Sequence, residues 1–421
     1  MLVFKFGGAS ISSIDRIKNV AAILSDYSEE SILIIISAMG KTTNALEKVA
    51  EAFYERRNEQ ALQLFEQVKN QHLTTAKYLL VTEYNNCEAR LTDFFTEVEW
   101  LLHDKPVRGY DYYYDQIVCC GELLSTCIVS HFLNEIGIKN TLLDVRDVVR
   151  TDDNFRDAGI DWDYTETQVE ETVVPLFESF PIVITQGFIG STADNESTTL
   201  GREGSDYSAA IFANLLNAKS QTIWKDVPSV MNADPKQFPD AVPMPQLSYD
   251  EVIEMAYYGA QVIHPKTIKP LYEKNIPLLV KCFLDPTLPG TVISKQPVKN
   301  LPPVIILKEN QVLVNFRSKD YSFVGEHAVA KLYKIMEELH LKPNMTQIGA
   351  ISFTALYDDR DEKLQLLASQ AGNMFDVQLR KNLTMLTVRH YTMETVNKLL
   401  EGKISLLTQK TAETIQVVYD L

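Results

Sequence analysis

The chain has 421 residues, of which 45% are apolar and 23% are charged. At about 150 residues per domain this length predicts two or three domains, and the composition excludes a disordered or collagen-like chain. The formal net charge of −16 excludes a general nucleic-acid-binding surface, which requires a basic face. A local cationic pocket for a small anion remains compatible with this charge.

The N-terminus and the cysteines bear on the compartment. The chain starts without a basic segment leading into an apolar signal core, and its longest aliphatic run, around Ile32–Ile36, is far shorter than the ~20 residues that cross a bilayer. The five cysteines include no C-x-x-C pair, so we predict neither a disulfide framework nor a thiolate zinc site and assign no metal ligands. Cys120 and Cys127 are expected to fill the core from one helix face. We expect a cytoplasmic protein without a membrane partner.

Strands and helices alternate through the first 290 or so residues. Residues 2–6 form a β-rich run that stops at Gly7-Gly8, residues 13–26 have helical apolar spacing, and residues 32–36 are apolar on both faces. This order predicts an α/β domain with a mostly parallel open sheet. Further strands are predicted at 141–144, 181–185, 221–224 and 277–281, and helices within 44–104 and at 121–133, 204–216, 249–258 and 265–273.

The composition shifts at residues 294–303, where three prolines and two lysines fall within ten residues. We predict a linker there, after a first domain at 1–293. Beyond it, predicted strands at 312–316, 351–355 and 383–388 alternate with predicted helices at 326–339, 361–371 and 392–400. This pattern indicates two small α+β units within 304–421.

Two glycine-containing segments are candidates for anion binding. Residues 5–10 (KFGGAS) end the first strand, where open α/β sheets bind ligands, and adjacent glycines let backbone N–H groups approach a phosphate. Lys5 between two apolar strand residues also requires a reason, because a buried charge is costly. In residues 198–206, Arg202 lies between two glycines at the start of a predicted helix. Its guanidinium can bind a carboxylate or phosphate through two hydrogen bonds. The alternatives are a plain βα turn with a surface lysine and an N-capped helix behind a flexible loop.

Other segments stay open on spacing alone. Glu122 at the start of an apolar helix could simply stabilise the helix dipole. The loop 224–235, with Asp226, is either a nucleotide clamp or an ordinary loop, and His264 is expected to cap a helix or fill the core. The string Gly40-Lys41-Thr42 is no P-loop, because Ile35 stands where that motif needs glycine.

Together these strings resemble the monofunctional aspartate kinases of the amino-acid kinase family. The resemblance covers residues 1 to about 292 in order. It rests on KFGGAS from residue 5, SAMGKTTNAL from 37, GELLST from 121, DVRDVVRT from 144, VITQGFIGS from 183, TTLGREGSDY from 198, WKDVPSVMNADP from 224 and SYDEVIEMAYYGAQVIHPKT from 248.

The resemblance implies a three-layer amino-acid kinase fold and the transfer of the γ-phosphate of ATP, with Mg²⁺, to the β-carboxylate of L-aspartate. This reaction is the first step toward lysine, threonine and methionine. The nucleophile is already an anion, so positioning and charge neutralisation are the requirements. The resemblance implies that Lys5 and Asp206 are catalytic. It implies that Arg202 binds the α-carboxylate of the substrate, that Glu122 binds its ammonium, and that Thr43, Phe188 and Ser205 line the pocket. The residues implied to bind the nucleotide are Lys5, Gly7, Gly8, Ser10, Lys225, Asp226, Met231 and Lys236.

The sequence departs from the family pattern on the nucleotide side. Ala9 and Lys225 stand where threonine is common, and Met231 replaces a tyrosine that often packs on the adenine. Gln261 replaces a lysine, with Lys266 five residues further on.

Residues 304–421 resemble paired, ferredoxin-like ACT regulatory domains, which implies a homodimer formed sheet to sheet and an amino-acid effector such as lysine or threonine. Asn344, Met345 and Gln347 fall in the implied effector loop. The region is short for two full units, so we expect the second to be trimmed or to borrow a strand. Two other functions stay open: a kinase for another small acid, such as glutamate or acetylglutamate, and a catalytically silent amino-acid sensor.

Overall fold

The computed structural model describes residues 1–260 and 262–420. The chain forms two compact units: unit 1 comprises residues 1–230, 243–253 and 261–298, and unit 2 comprises residues 231–242, 254–260 and 299–421. The last passage from unit 1 to unit 2 falls inside the proline-rich segment 294–303. Gln261, one of the departures from the family pattern, lies outside the described residues.

Unit 1 contains an eight-stranded sheet in the order β3-β4-β2-β1-β7-β9-β10-β8. Its first six strands run parallel, and β10 is antiparallel to β9. The separate hairpin β5–β6 and the short strands β8 and β10 were not predicted, because runs of three or four residues carry too little periodicity. The strands are β1 Leu2–Phe6, β2 Ile32–Ile36, β3 Asn140–Leu143, β4 Ile182–Gln186, β5 Ile189–Ser191, β6 Ser197–Thr199, β7 Ser220–Lys225, β8 Gln246–Ser248, β9 Leu278–Cys282 and β10 Thr291–Ser294.

Helices flank this sheet, and the predicted mostly parallel α/β domain is confirmed. The five residues of β2 are all buried, which explains why this strand is apolar on both faces. The helices are α1 Ile14–Ser25, α2 Thr42–Tyr54, α3 Asn58–Leu79, α4 Tyr84–His103, α5 Tyr110–Val118, α6 Cys120–Glu135, α7 Trp162–Gln168, α8 Val174–Leu176, α9 Gly204–Leu215, α10 Tyr249–Tyr258 and α11 Pro265–Lys274.

Helices α5 and α6 form one apolar stretch, Tyr110–Glu135, which has the length and hydropathy of a membrane span. In the structure, 89% of its most apolar window is buried. This burial is typical of a core helix in a globular protein.

The carboxyl ends of β4, β2, β1 and β7 meet at one edge of the sheet. Lys5 of β1 lies in register between Ile35 of β2 and Ile223 of β7. The segments that follow these four strands therefore share the edge at which open α/β sheets bind ligands.

Unit 2 contains one six-stranded antiparallel sheet in the order β12-β13-β11-β14-β16-β15. Two of its strands, β11 and β14, are 15 residues long and pair along most of their length. The elements are β11 Val304–Ser318, α12 Glu326–Glu338, β12 Met345–Ile348, β13 Ser352–Asp358, α13 Asp361–Ala371, β14 Phe375–Arg389, α14 Met393–Leu399, β15 Ile404–Lys410 and β16 Thr414–Asp420.

The two long strands join two ferredoxin-like units. The second half of β11 and the first half of β14 combine with β12, β13, α12 and α13 into a complete β-α-β-β-α-β unit with its own core. The second half of β14 forms the other unit with α14, β15 and β16, and takes its fourth strand from the first half of β11. Among the described residues this unit has one helix and takes its fourth strand from β11, where the sequence predicts a trimmed unit or a borrowed strand.

Candidate active site

An ion pair lies at the carboxyl end of β1. Lys5 Nζ is 2.7 Å from Oδ1 of Asp206, which stands in the first turn of α9, and both side chains are largely buried. Burial favours a higher pKa for Asp206, but the positive charges of Lys5 and Lys225 outweigh it and lower the pKa. The pair therefore holds an ionised carboxylate against a lysine ammonium in a water-poor environment.

A cavity of about 430 Å³ opens over this ion pair. The structure brings together at its wall every residue that the resemblance assigns to catalysis or to the substrate: Lys5, Thr43, Glu122, Phe188, Arg202, Ser205 and Asp206. These residues come from five separate segments of unit 1. The segments at the carboxyl ends of β1, β2 and β4 converge because these strands are parallel neighbours.

Glu122, in the first turn of α6, is 2% exposed. Its Oε1 accepts a hydrogen bond from the N–H of Ala38 at 3.0 Å, whereas Oε2 has no hydrogen-bond partner among the described residues. Burial raises the pKa of Glu122 to about 8. A buried carboxyl group with one unsatisfied oxygen at a cavity wall favours a ligand with a positive charge there.

Close contact between two turns positions that Ala38 amide. A Cβ at Gly8 would lie 2.6 Å from the carbonyl oxygen of Ala38, so the turn after β1 can approach the turn after β2 only with glycine at this position. The N–H of Gly40 also donates to the carbonyl oxygen of Gly8 at 3.0 Å. Gly8 thus serves packing as well as any anion binding.

The segment before α9 presents Arg202. Glu203, the next residue, has a left-handed backbone conformation with φ of 55°, and its Oε2 accepts the N–H of His264 at 2.8 Å. Arg202 is exposed and forms no ion pair in the described part of the chain. Its guanidinium is therefore available for bidentate binding of an anion. His264 caps α11, as predicted.

Phe188 enters the cavity wall from the end of β4. Its φ is 72°, and its N–H donates to Oγ of Ser208 at 2.9 Å. A Cβ on the preceding Gly187 would lie 2.6 Å from Cβ of Ser205, so this glycine lets the end of β4 contact the first turn of α9.

The cavity wall also carries a positively charged side chain, Arg156, that the sequence did not indicate. Arg156 lines the wall beside Tyr114, with its guanidinium carbon 4.4 Å from the ring centroid, and its Nη1 is 3.1 Å from Asp111 Oδ1. The buried Asp115 accepts the N–H of Arg156 at 3.0 Å and the hydroxyl of Thr199 at 2.7 Å. No periodic pattern marks residue 156, because its partners lie more than 40 positions away.

The nucleotide-side residues fall into two groups. Gly7, Gly8 and Ser10 form the turn after β1, where Ser10 Oγ donates to the carbonyl oxygen of Trp224 in the neighbouring β7 at 3.2 Å. Lys225 ends β7 and Asp226 follows it. Lys225 Nζ donates to the carbonyl oxygen of Val262 at 2.7 Å.

The remaining nucleotide-side residues lie elsewhere in the chain. Met231 and Lys236 belong to a segment of unit 2. Lys266, near the replaced lysine position, forms an ion pair with Asp157. The nucleotide roles of all these residues stay predictions.

The implied effector residues lie at the start of β12 in unit 2. Asn344 accepts from Lys308 Nζ at 2.8 Å and donates to Gln311 at 2.8 Å and to Asp358 at 2.9 Å. Met345 is buried in an apolar cluster, and Gln347 is exposed on the sheet edge. Asn344 and Met345 border a cavity of about 480 Å³ within unit 2.

Comparison with protein families agrees with this fold. The model of the amino acid kinase family matches residues 1–282, which is more than half of the chain. The chain therefore belongs to the amino acid kinase family.

Two curated plant proteins illustrate its relatives. Aspartokinase 1, chloroplastic, of Arabidopsis thaliana is 34% identical over 372 residues, which cover 85% of this chain and 63% of the relative. The bifunctional aspartokinase/homoserine dehydrogenase 2, chloroplastic, of Zea mays is 37% identical over 300 residues, 70% of this chain and 32% of the relative. The chain thus spans less than two thirds of the length of either relative. Both names place the relatives in chloroplasts, so a cytoplasmic location stays a prediction for this chain.

Two solved structures of E. coli aspartokinase III resemble nearly the whole chain. The complex with lysine and aspartate (T-state) has a TM-score of 0.82 at 26% identity and covers 99% of this chain and 95% of that one. The complex with aspartate and ADP (R-state) has a TM-score of 0.81 at 26% identity, with coverage of 100% and 96%. The resemblance to the aspartokinases is confirmed.

Proposed function

We propose that this protein transfers the γ-phosphoryl group of ATP to the β-carboxylate of L-aspartate, forming 4-phospho-L-aspartate. The observation that carries the proposal is the combination, in one cavity, of the Lys5–Asp206 pair, an unsatisfied Glu122 oxygen and an unpaired Arg202. The resemblance to E. coli aspartokinase III, solved with aspartate and ADP, supports it.

Aspartate offers one ammonium and two carboxylates, and the cavity offers a complement to each. Glu122 Oε2 lacks a partner and suits the ammonium, whereas Arg202 suits the α-carboxylate as a bidentate fork. The β-carboxylate is then left for the end of the cavity where Lys5 lies. Thr43, Phe188 and Ser205 close the wall around the short side chain.

The proposed phosphoryl transfer does not require a general base. The attacking β-carboxylate is ionised at neutral pH, so no side chain has to remove a proton. Lys5 stabilises the charge of the transferring phosphoryl group, and Asp206 holds the Lys5 ammonium in place through the 2.7 Å contact. Positioning two anions side by side against these cations is the main catalytic task.

The turn after β1 fits a phosphate. A Cβ on Gly7 would meet only Lys5 Nζ, at 3.3 Å, so the space over this amide adjoins the lysine ammonium. Magnesium is bound by carboxylate and phosphate oxygens in kinases, and the ionised Asp206 is a carboxylate of this type at the same place. When bound, the metal would neutralise phosphate charge; Asp206 is the residue that would hold it.

The test is an ATP-consumption assay with Mg²⁺ and L-aspartate in which hydroxylamine traps the acyl phosphate as a hydroxamate. We expect hydroxamate that depends on aspartate. Folded protein that binds ATP and yields no hydroxamate with aspartate would contradict the proposal.

The same assay separates a kinase for another small acid. N-acetylglutamate has no ammonium, so it would leave the Glu122 oxygen in the cavity without a cationic partner. Glutamate has the same charged groups as aspartate and differs only in the length of its side chain, so it is the stricter test of substrate selectivity. We expect turnover with aspartate to exceed turnover with either.

We further propose that unit 2 binds an amino-acid effector and forms a homodimer through its sheet. One of the E. coli structures contains lysine, and the edge strand β12 exposes Gln347 and Ile348. Adding lysine and threonine separately to the assay identifies the effector, and light scattering measures the mass in solution. Activity unaffected by both amino acids, in a protein that is monomeric, would exclude this regulation.

A further inference from the structure

A cluster of sulfur and nitrogen ligands lies away from the cavity, between α4 and α6. Cys87 of α4 and Cys127 of α6 are both fully buried, and their Sγ atoms are 3.9 Å apart. A ring nitrogen of His131 joins them, and the three ligand atoms all lie within 4.8 Å of one another. The catalytic chemistry proposed above uses none of these groups.

We propose that Cys87, Cys127 and His131 bind one Zn²⁺ ion. In a tetrahedral site with Zn–S bonds of about 2.3 Å, two ligand sulfurs lie about 3.8 Å apart. The observed separation of 3.9 Å is close to this value, whereas bonded disulfide sulfurs lie about 2.05 Å apart. Cys127 and His131 are four residues apart on one helix, so they lie on the same face.

A carboxylate supports the histidine. Oε2 of Glu83 is 3.2 Å from Nδ1 of His131, and zinc-bound histidines typically use their second ring nitrogen for such a contact. Glu83 is itself held, because its Oε2 accepts from Asn86 at 3.0 Å and its N–H donates to Glu135 at 3.0 Å. Thiol ligands with an oriented imidazole suit zinc better than a hard cation.

The charges in the site balance. Zinc displaces the two thiol protons, which pass to solvent, and the two thiolates then neutralise the dication. A neutral site is compatible with the burial of both sulfurs. Sequence spacing could not reveal the site, because Cys87 and Cys127 are 40 residues apart.

Zinc at this position would join two long helices of unit 1. Cys127 follows Glu122 on α6, the helix that supplies the unsatisfied carboxyl oxygen of the cavity. The three side chains leave the fourth position of a tetrahedral zinc ion to a water molecule. We infer that occupancy stabilises the packing of α4 on α6 without touching the substrate.

The experiment uses the full chain, reduced with a phosphine and stripped with a chelator. Zinc is titrated in competition with a chromophoric chelator, and Co²⁺ replaces it for spectroscopy. We expect one metal per chain and a thiolate-to-cobalt charge-transfer band, with a higher Tm when zinc is added. Cys87→Ser and Cys127→Ser should abolish the band, and Cys282→Ser, which removes a buried cysteine outside the cluster, should leave it intact.

If the cysteine variants fail to fold, variants of the partly exposed His131 and Glu83 test the same site. His131→Gln removes a ligand, and Glu83→Gln should weaken zinc binding by ~10–100-fold, as is usual for partners of a ligating histidine. Wild-type zinc affinity in both variants would overturn the proposal. So would the absence of a thiolate band, or a band that Cys87→Ser leaves unchanged.

Discussion

The polar groups of the unit 1 cavity and those around Asn344 in unit 2 differ in how fully they are paired. In unit 1, Glu122 Oε2 has no hydrogen-bond partner and Arg202 no ion-pair partner among the described residues. In unit 2, Asn344 makes side-chain hydrogen bonds to Lys308, Gln311 and Asp358. A buried polar group without a partner, such as Glu122 Oε2, is costly unless a ligand completes it, whereas a satisfied network stabilises the fold. The resemblance assigns binding roles to both regions, but the physical demand for a ligand is evident only in the first.

The largest effect is expected at Lys5. Lys5→Ala should lower the rate of phosphoryl transfer by at least ~100-fold, because it removes a preorganised positive charge from the transferring group. Single-turnover hydroxamate formation measures this rate. Lys219→Ala is the matched control, since Lys219 pairs with Glu30 at the surface. Equal rates for the two variants would remove Lys5 from the chemistry.

At Glu122, the cavity's unsatisfied carboxyl group should lower stability as well as bind substrate. Because the pKa of Glu122 is raised to about 8 from an ordinary 4.5, the folded protein retains a proton that the unfolded chain releases between these values. The free energy of unfolding should therefore fall as the pH rises through this window, by up to about 1.4 kcal/mol per unit.

Glu122→Gln should remove that slope. In urea unfolding without substrate, we expect the variant to be more stable than the native protein by up to about 3 kcal/mol at pH 7, with no gain at pH 4. Its KM for aspartate should rise, because the partner of the ammonium is lost. A variant that unfolds more easily at pH 7 and keeps its KM would contradict both expectations.

Arg202 tests the selectivity of the cavity. Arg202→Ala should raise the KM for aspartate by ~10–100-fold, the loss expected for a charge-assisted hydrogen bond, and change the KM for ATP much less. Arg156→Ala is the comparison, because Arg156 lines the same cavity but is already paired with Asp111. A larger rise in the KM for ATP than in the KM for aspartate would show instead that Arg202 binds the phosphates of the nucleotide.

The smallest effects are expected in unit 2. Asn344→Ala should destabilise the protein by about 1–3 kcal/mol, because it leaves its partners unsatisfied. Gln347→Ala, at an exposed position on β12, should change stability by less than about 0.5 kcal/mol. Urea unfolding measures both. Equal and negligible changes would show that the Asn344 network does not support the fold.

The convergence of the unit 1 motifs on one cavity has a structural cause. Lys5 lies in β1, and Thr43 and Phe188 follow β2 and β4. These three strands have apolar runs that are easy to recognise, and their parallel pairing brings their carboxyl ends to one edge. Position along the chain therefore implies position in space for Lys5, Thr43 and Phe188, whereas Glu122 follows helix α5 and Ser205 follows the short hairpin strand β6. Arg156 and Tyr114 lie outside this relation, since they reach the cavity from segments with no strong periodicity.

The amino-acid sequence alone predicted the six parallel strands of unit 1 and most helices, because apolar periodicity is a local property. The resemblance of its motifs to a known family supplied the residues assigned to the cavity. Long-range packing decided the rest. The sharing of β11 between two units depends on pairing with β14, whose partner residues are 57 to 85 positions away. Cys87 of α4 contacts Cys127 of α6. The unsatisfied oxygen of Glu122 likewise depends on which groups surround it after folding. Such contacts join distant segments, and no local pattern encodes them.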